Sequence, residues 1–231
     1  SKTIREQLKP GREVILPGPG GGFVTERGKT AGRLIVPMNY TTGAAHWVAG
    51  VIYSDDHGKT WKTSNPFSEM GTGEAGIAEL SDGRLYYNSR SHWNAKKPPL
   101  RRREAWSADG GETWTGWRIV DVLPDGPQDT NYGCFAGLVR LPIADRDILL
   151  YSNCDSTAGR KLGTVWVSFD GAKTWPLKRL VWKDSFQYSS LSAGRPGTAS
   201  AGWIYMHFEG RLPQTRIARF NLSWLMAGEP T

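Results

Sequence analysis

Few side chains in these 231 residues sit where their types and spacing alone would support chemistry. The four histidines, His46, His57, His92 and His207, are isolated, without the spacing that gathers ligands around a metal ion. The two cysteines, Cys134 and Cys154, lie on two apolar runs, 134–141 and 147–154. If these runs form a hairpin through 142–146, Leu141 faces Asp147 and Cys134 faces Cys154. That register allows either a cross-strand disulfide or two free thiols, and a bridge would point to an oxidising compartment. The net charge of +7 suits an acidic partner. The basic residues are scattered, however, apart from Arg101-Arg102-Arg103. That cluster abuts a strand pattern and reads as a solvated loop edge rather than a phosphate-binding stripe, so no nucleic-acid partner is expected. An acidic small substrate fits the charge. Read singly, Tyr188 is an ordinary strand aromatic, Glu74 an exposed carboxylate in a Gly-rich loop, and Arg90 a strand-end arginine in water.

The elements that must position such side chains announce themselves through repetition. Ser54-Asp55-Asp56-His57-Gly58-Lys59-Thr60-Trp61 recurs as Ser107-Ala108-Asp109-Gly110-Gly111-Glu112-Thr113-Trp114 and as Ser168-Phe169-Asp170-Gly171-Ala172-Lys173-Thr174-Trp175. The shared pattern is S-x-D-x-G-x-T-W, with Ala172 where the third copy should have glycine. Starts at 54, 107 and 168 give a period in the range of repeat folds. Asp56, Asp109 and Asp170 are expected to accept backbone N–H bonds within a tight turn. The glycine takes a positive φ, and the tryptophan packs back under the turn. Apolar residues precede each copy, so each box caps a turn between strands and is structural rather than catalytic.

Short strand patterns bounded by turn residues follow one another near 33–40, 46–54, 76–80, 84–90, 102–107, 134–141, 147–154, 163–169, 187–193, 202–208 and 215–221. Residues 1–31 read as a polar, Gly-rich lead-in, with 17–22 a loop. Only 222–226 suggests a short helix. No apolar run reaches the length of a membrane span, and the N-terminus lacks an apolar signal core. Many short strands with a long repeat imply an all-β propeller of about four blades within a single propeller domain, or portion of one, over 1–231. The abrupt start, without a fourth box, suggests a portion of a larger propeller, completed by an N-terminal segment or a second chain.

The boxes and their surroundings, from about Gly32 to Leu225, resemble the sialidase (neuraminidase) family. The likeness runs in order through Gly32-Arg33-Leu34-Ile35-Val36-Pro37, the first box and Gly73-Glu74. It continues through Glu79-Leu80-Ser81-Asp82-Gly83-Arg84, Asn88-Ser89-Arg90 and Gly163-Thr164-Val165 before the third box. Tyr188-Ser189-Ser190-Leu191, Phe208-Glu209 and Phe220-Asn221-Leu222-Ser223-Trp224-Leu225 complete it. Such a match corresponds to about the C-terminal two-thirds of the family's catalytic domain. It implies a six-bladed propeller, of which this chain supplies about four blades. It also implies a retaining exo-glycoside hydrolase that removes terminal sialic acid and needs no metal or organic cofactor.

The resemblance assigns roles. Tyr188 matches the nucleophile and Glu74 its base. Arg90 matches one arginine of the triad that clamps the substrate carboxylate, a task suited to a planar fork. Glu209 matches a carboxylate that orients another triad arginine. Three features depart from the pattern. An Arg-Ile-Pro type motif and the acid/base aspartate, both in the first third of the family pattern, have no counterpart here. Trp166, two residues before Ser168, stands where the third triad arginine is expected. Arg160 or Lys161 on the preceding loop could substitute, and the Trp166 indole could stack on a sugar face.

The expectation is therefore a sialidase-like glycosidase acting on a sialoglycan or other acidic sugar, with a secreted or periplasmic location. The alternative is a non-catalytic carbohydrate-binding propeller that has lost part of the arginine triad and the acid/base aspartate.

Overall fold

The computed structural model describes residues 3–7, 12–42, 47–67, 72–91, 99–129, 133–211 and 213–231. His46 and His92 lie outside them. The chain divides into two compact units, 1–96 with 103–119, and 97–102 with 120–231. The division falls within two strands of one sheet.

Apart from two short helices, α1 (Ile4–Gln7) and α2 (Leu222–Met226), and a 3-10 turn at Gly28–Thr30, the described elements are strands in four antiparallel sheets. The first sheet has β1 (Arg12–Pro17), β2 (Phe23–Val24), β3 (Leu34–Thr42), β4 (Trp47–Ser54) and β5 (Lys62–Thr63), ordered β1-β3-β4-β5 with β2 also on β3. The second runs in sequence through β6 (Ala75–Glu79), β7 (Leu85–Ser89), β8 (Arg101–Ser107) and β9 (Thr115–Pro124). The third is β10 (Gly137–Arg140), β11 (Leu149–Cys154), β12 (Lys161–Ser168) and β13 (Leu177–Ser185), with β17 (Glu229–Pro230) on its outer edge. The fourth is β14 (Ser189–Ala193), β15 (Trp203–Glu209) and β16 (Thr215–Asn221).

Burial explains which strands the sequence announces. Inner strands β7 and β11 are buried at every position, and β4 at all but its first residue. A strand covered on both faces reads as an unbroken apolar or small-residue run. The strands after the second and third boxes, β9 and β13, are mostly exposed or half-buried, so they carry no apolar alternation and escape a sequence reading. The lead-in also differs from expectation: it supplies β1 and β2 to the first sheet. The expected 222–226 helix is α2, capped by the Asn221 side chain accepting from the Trp224 N–H at 2.8 Å.

The three boxes share one bonding scheme. In the first, Ser54 Oγ donates to Asp56 at 2.8 Å and accepts from the Gly58 N–H, while the Thr60 N–H and hydroxyl both donate to the Asp56 carboxylate. The other boxes repeat it around Asp109 and Asp170. Ala172 takes the left-handed turn position at φ 69° and is buried. Bonds from the Thr60 side chain and backbone hold the Asp56 carboxyl down to about 2. Burial alone would raise Asp109 and Asp170, but bonds from Thr113 and Thr174 outweigh it and hold both below the usual carboxylate value.

Within the first unit, Arg33 ties two boxes together. Its guanidinium bonds Asp55 at 2.7 Å and Glu112 at 2.9 Å, reaches the Asp109 and Gly110 carbonyls, and lies 4.3 Å over the Tyr53 ring. The Arg101–Arg103 cluster is not a solvated edge. It lies in β8, and Arg102 is wholly buried against Asp125 at 2.9 Å. Hairpin β10–β11 is one residue out of the expected register: Arg140 pairs with Leu149, and the Leu141 N–H bonds the Ile148 carbonyl. Cys134 and Cys154 are therefore not directly opposed, and both are free, buried thiols.

Candidate functional site

In the second sheet, Glu74 and Arg90 extend the β6–β7 ladder by one pair. The Arg90 N–H donates to the Glu74 carbonyl, the Gly73 N–H to the Arg90 carbonyl, and the Arg90 guanidinium pairs with the Glu74 carboxylate. Arg90 is almost wholly buried while the Glu74 side chain keeps 17% of its surface. The pair lies at the sheet end opposite the second box, because β6 and β7 meet at the 80–84 turn, where Leu85 pairs with Ser107. The antiparallel path thus puts box and ion pair at opposite ends of one sheet.

In the other unit, Tyr188 and Glu209 close the β14–β15 ladder. The Glu209 N–H donates to the Tyr188 carbonyl, and the Gln187 N–H to the Glu209 carbonyl, each at 2.9 Å. The next residue, Ser189, is buried and anchors the strand to the third sheet through Ser152 Oγ at 2.8 Å. Tyr188 itself is half-buried, with Phe135 5.9 Å from its ring centre.

Arg160 precedes β12, at the end of the third sheet opposite the third box. Its guanidinium lies 5.6 Å from the centre of the Tyr188 ring. One nitrogen donates to Gln187 Oε1 at 3.2 Å and another to the Gly133 carbonyl at 3.1 Å, while its own carbonyl accepts from Phe186. Gly163 allows this approach: a Cβ there would stand 2.1 Å from the Phe186 ring. The Cys154 thiol donates to the Phe186 carbonyl at 3.0 Å. The adjoining Cys134 side chain and burial raise it well above the usual thiol range, which keeps it un-ionised.

Trp166 is 1% exposed, edge-on to Tyr151 at 5.6 Å in the core of the third sheet. It presents no face on which a sugar could stack, which corrects the expectation of a sugar platform there. Lys161, the other expected substitute, is exposed and pairs with Ser185 across β12–β13. Among the described residues, no group of three or more His, Cys, Asp or Glu is placed to hold a metal ion, and no helix is long and apolar enough to cross a membrane.

Comparison with known proteins decides the family. The BNR repeat-like domain matches residues 2–200. The chain belongs to this BNR repeat-like family. The curated relatives that it matches include sialidases. It is 34% identical to the sialidase of Micromonospora viridifaciens over 228 residues, covering 97% of this chain and 33% of that protein. It is also 34% identical to the anhydrosialidase of Macrobdella decora over 190 residues, or 79% of this chain and 23% of that one. The chain therefore spans about a third or less of these relatives' lengths. Among solved structures, the Hadza microbial sialidase Hz136 aligns over 95% of this BNR-family chain and 40% of its own, with TM-score 0.74 and 28% identity. The leech intramolecular trans-sialidase complexed with 2,7-anhydro-Neu5Ac aligns over 93% and 32%, with TM-score 0.73 and 26% identity. The four sheets are thus blades of the sialidase-type propeller fold.

Sequence reasoning named Arg160 only as a substitute and passed over Gln187. The box gave a fixed count back to Trp166, whereas the reach of a long side chain from a loop leaves no periodic signal.

Proposed function

We propose that the protein carrying this chain is a sialidase-like exo-glycosidase that removes a terminal sialic acid or related acidic sugar with retention of configuration. The observation that supports it is the Arg160 guanidinium over the half-buried Tyr188 ring, in a chain akin to sialidases along nearly its whole length. A planar guanidinium fork beside the ring suits a substrate carboxylate.

In this reading the Tyr188 oxygen attacks the anomeric carbon, whose bond to the leaving oxygen breaks. Glu74 accepts the phenolic proton, a role that rests on its Gly73-Glu74 motif. The leaving oxygen takes a proton from an acid outside the assigned residues. Water then attacks the same carbon, giving a proton to the conjugate base of that acid, while the Tyr188 oxygen leaves and takes its proton back from Glu74; two inversions give retention. A neutral phenol suits an anomeric carbon bearing a carboxylate, where a carboxylate nucleophile would be repelled. Arg160 takes the place first sought at Trp166 as a clamp for the substrate carboxylate, and Arg90 is assigned a clamp role by its Asn88-Ser89-Arg90 motif alone. Glu209, opposite Tyr188, orients a further arginine, as the resemblance implies.

The test is hydrolysis of 4-methylumbelliferyl sialoside by the intact protein, with NMR identification of the first-released anomer. The expected result is turnover with release of the retained anomer, reduced at least about a hundredfold in Tyr188→Phe. If both proteins are inert and a sialoglycan still binds, the carbohydrate-binding alternative holds instead.

A further inference from the structure

We propose that Gln187 is the positioning residue that aims Arg160 at an anionic ligand while leaving the guanidinium charge unspent. The proposal rests on the reading of Arg160 as a carboxylate clamp.

The Gln187 carboxamide is a strut between two fixed groups. Its Nε2 donates to the Gly210 carbonyl at 3.0 Å and its Oε1 accepts from Arg160 at 3.2 Å. The Gly210 carbonyl can only accept, so the amide must turn its NH2 to Gly210 and its oxygen to Arg160. The strut's base is rigid: the Gln187 N–H donates to the Glu209 carbonyl, and neighbouring Phe186 is fully buried with its N–H on the Arg160 carbonyl. The second support of the fork, the Gly133 carbonyl at 3.1 Å, is also neutral. Arg160 thus has two uncharged acceptors, one on each terminal nitrogen, and no carboxylate within ion-pair distance among the described residues. Neutral acceptors fix orientation without cancelling the positive charge that a ligand carboxylate would meet. A carboxylate at this position would form its own ion pair with Arg160 and set an anionic oxygen against the Gly210 carbonyl. The choice of amide over acid therefore bears on selection for acidic over neutral sugars.

The experiment compares the intact wild type with Gln187→Glu and Gln187→Met, each checked for folding by thermal unfolding. The probe is 2-deoxy-2,3-dehydro-N-acetylneuraminic acid, titrated calorimetrically across pH. Gln187→Glu is expected to bind at least about tenfold more weakly at pH 7 than Gln187→Met. It should regain affinity as pH falls through the ordinary glutamate range, about 4.3, while wild type and Gln187→Met show no such recovery. Equal, pH-independent losses in both variants would overturn the proposal. In parallel, the Arg160 Nε–Hε NMR signal, assigned through Arg160→Lys, should carry the Tyr188 ring-current shift and lose it in Gln187→Met. An unmoved signal overturns the positioning role whatever the titration gives. If wild type fails to bind the probe, the carboxylate-clamp reading falls, and the NMR arm still decides whether Gln187 places Arg160.

Discussion

The Arg160 guanidinium stands 5.6 Å from the centre of the Tyr188 ring, although Arg160 leads into the third sheet and Tyr188 into the fourth. The contact depends on a fork-shaped group that reaches the Gly133 carbonyl and the Gln187 amide together. Lysine carries the charge but not the fork. Arg160→Lys is therefore expected to raise KM for an aryl sialoside by about 10–100-fold, the loss of a charge-assisted contact worth about 1.5–3 kcal/mol. The effect on kcat should be smaller. Steady-state kinetics of the two proteins checks this.

Trp166 gives the opposite expectation. It is buried edge-on to Tyr151, so Trp166→Phe should cost about 1–2 kcal/mol of stability, as a core contraction does. Ligand affinity should not change. Urea unfolding and a sialic acid titration read the two quantities separately, and weakened binding at unchanged stability would restore the sugar-platform role.

Gly163 links packing to the site. Its missing Cβ leaves room for the Phe186 ring, which directly precedes Gln187 and Tyr188. Gly163→Ala is expected to lower stability by about 1–3 kcal/mol through overpacking and also to raise KM, since displacing Phe186 carries its neighbours with it. Loss of stability with KM unchanged would show that Phe186 relaxes without moving Tyr188.

The boxes set the acid limb of stability. Asp56 is held down to about 2, and Asp109 and Asp170 lie below their ordinary value. A depressed folded-state value means stability fully present above the unfolded aspartate value, about 3.9, and lost as pH falls through the folded one. Burial raises Glu104 against the bonds it accepts from Tyr86 and Arg118, so that group works in the opposite direction. Thermal unfolding between pH 5 and 2 should therefore show a falling Tm, with a shallower slope in Asp109→Asn. An identical slope in the variant would remove Asp109 from the account.

What the sequence reveals follows from where side chains are buried. The boxes and inner strands are legible because the same turn chemistry and apolar runs recur. Outer strands β9 and β13 are not, because exposed positions leave the alternation unconstrained. The hairpin through 142–146 was legible but its register was not, since Leu141 meets Ile148 rather than Asp147. Tyr188, Glu74, Arg90 and Glu209 stood out through motifs. Gln187 could not, because its contacts are with a guanidinium and a carbonyl from residues distant in sequence.

In the proposed mechanism Tyr188 forms a covalent bond to the sugar. The intact protein, incubated with 2,3-difluorosialic acid and digested, should yield a peptide containing Tyr188 heavier by one glycosyl unit, and Tyr188→Phe should yield none. An unlabelled Tyr188, or label on another residue while a known sialidase reacts in parallel, would contradict the account.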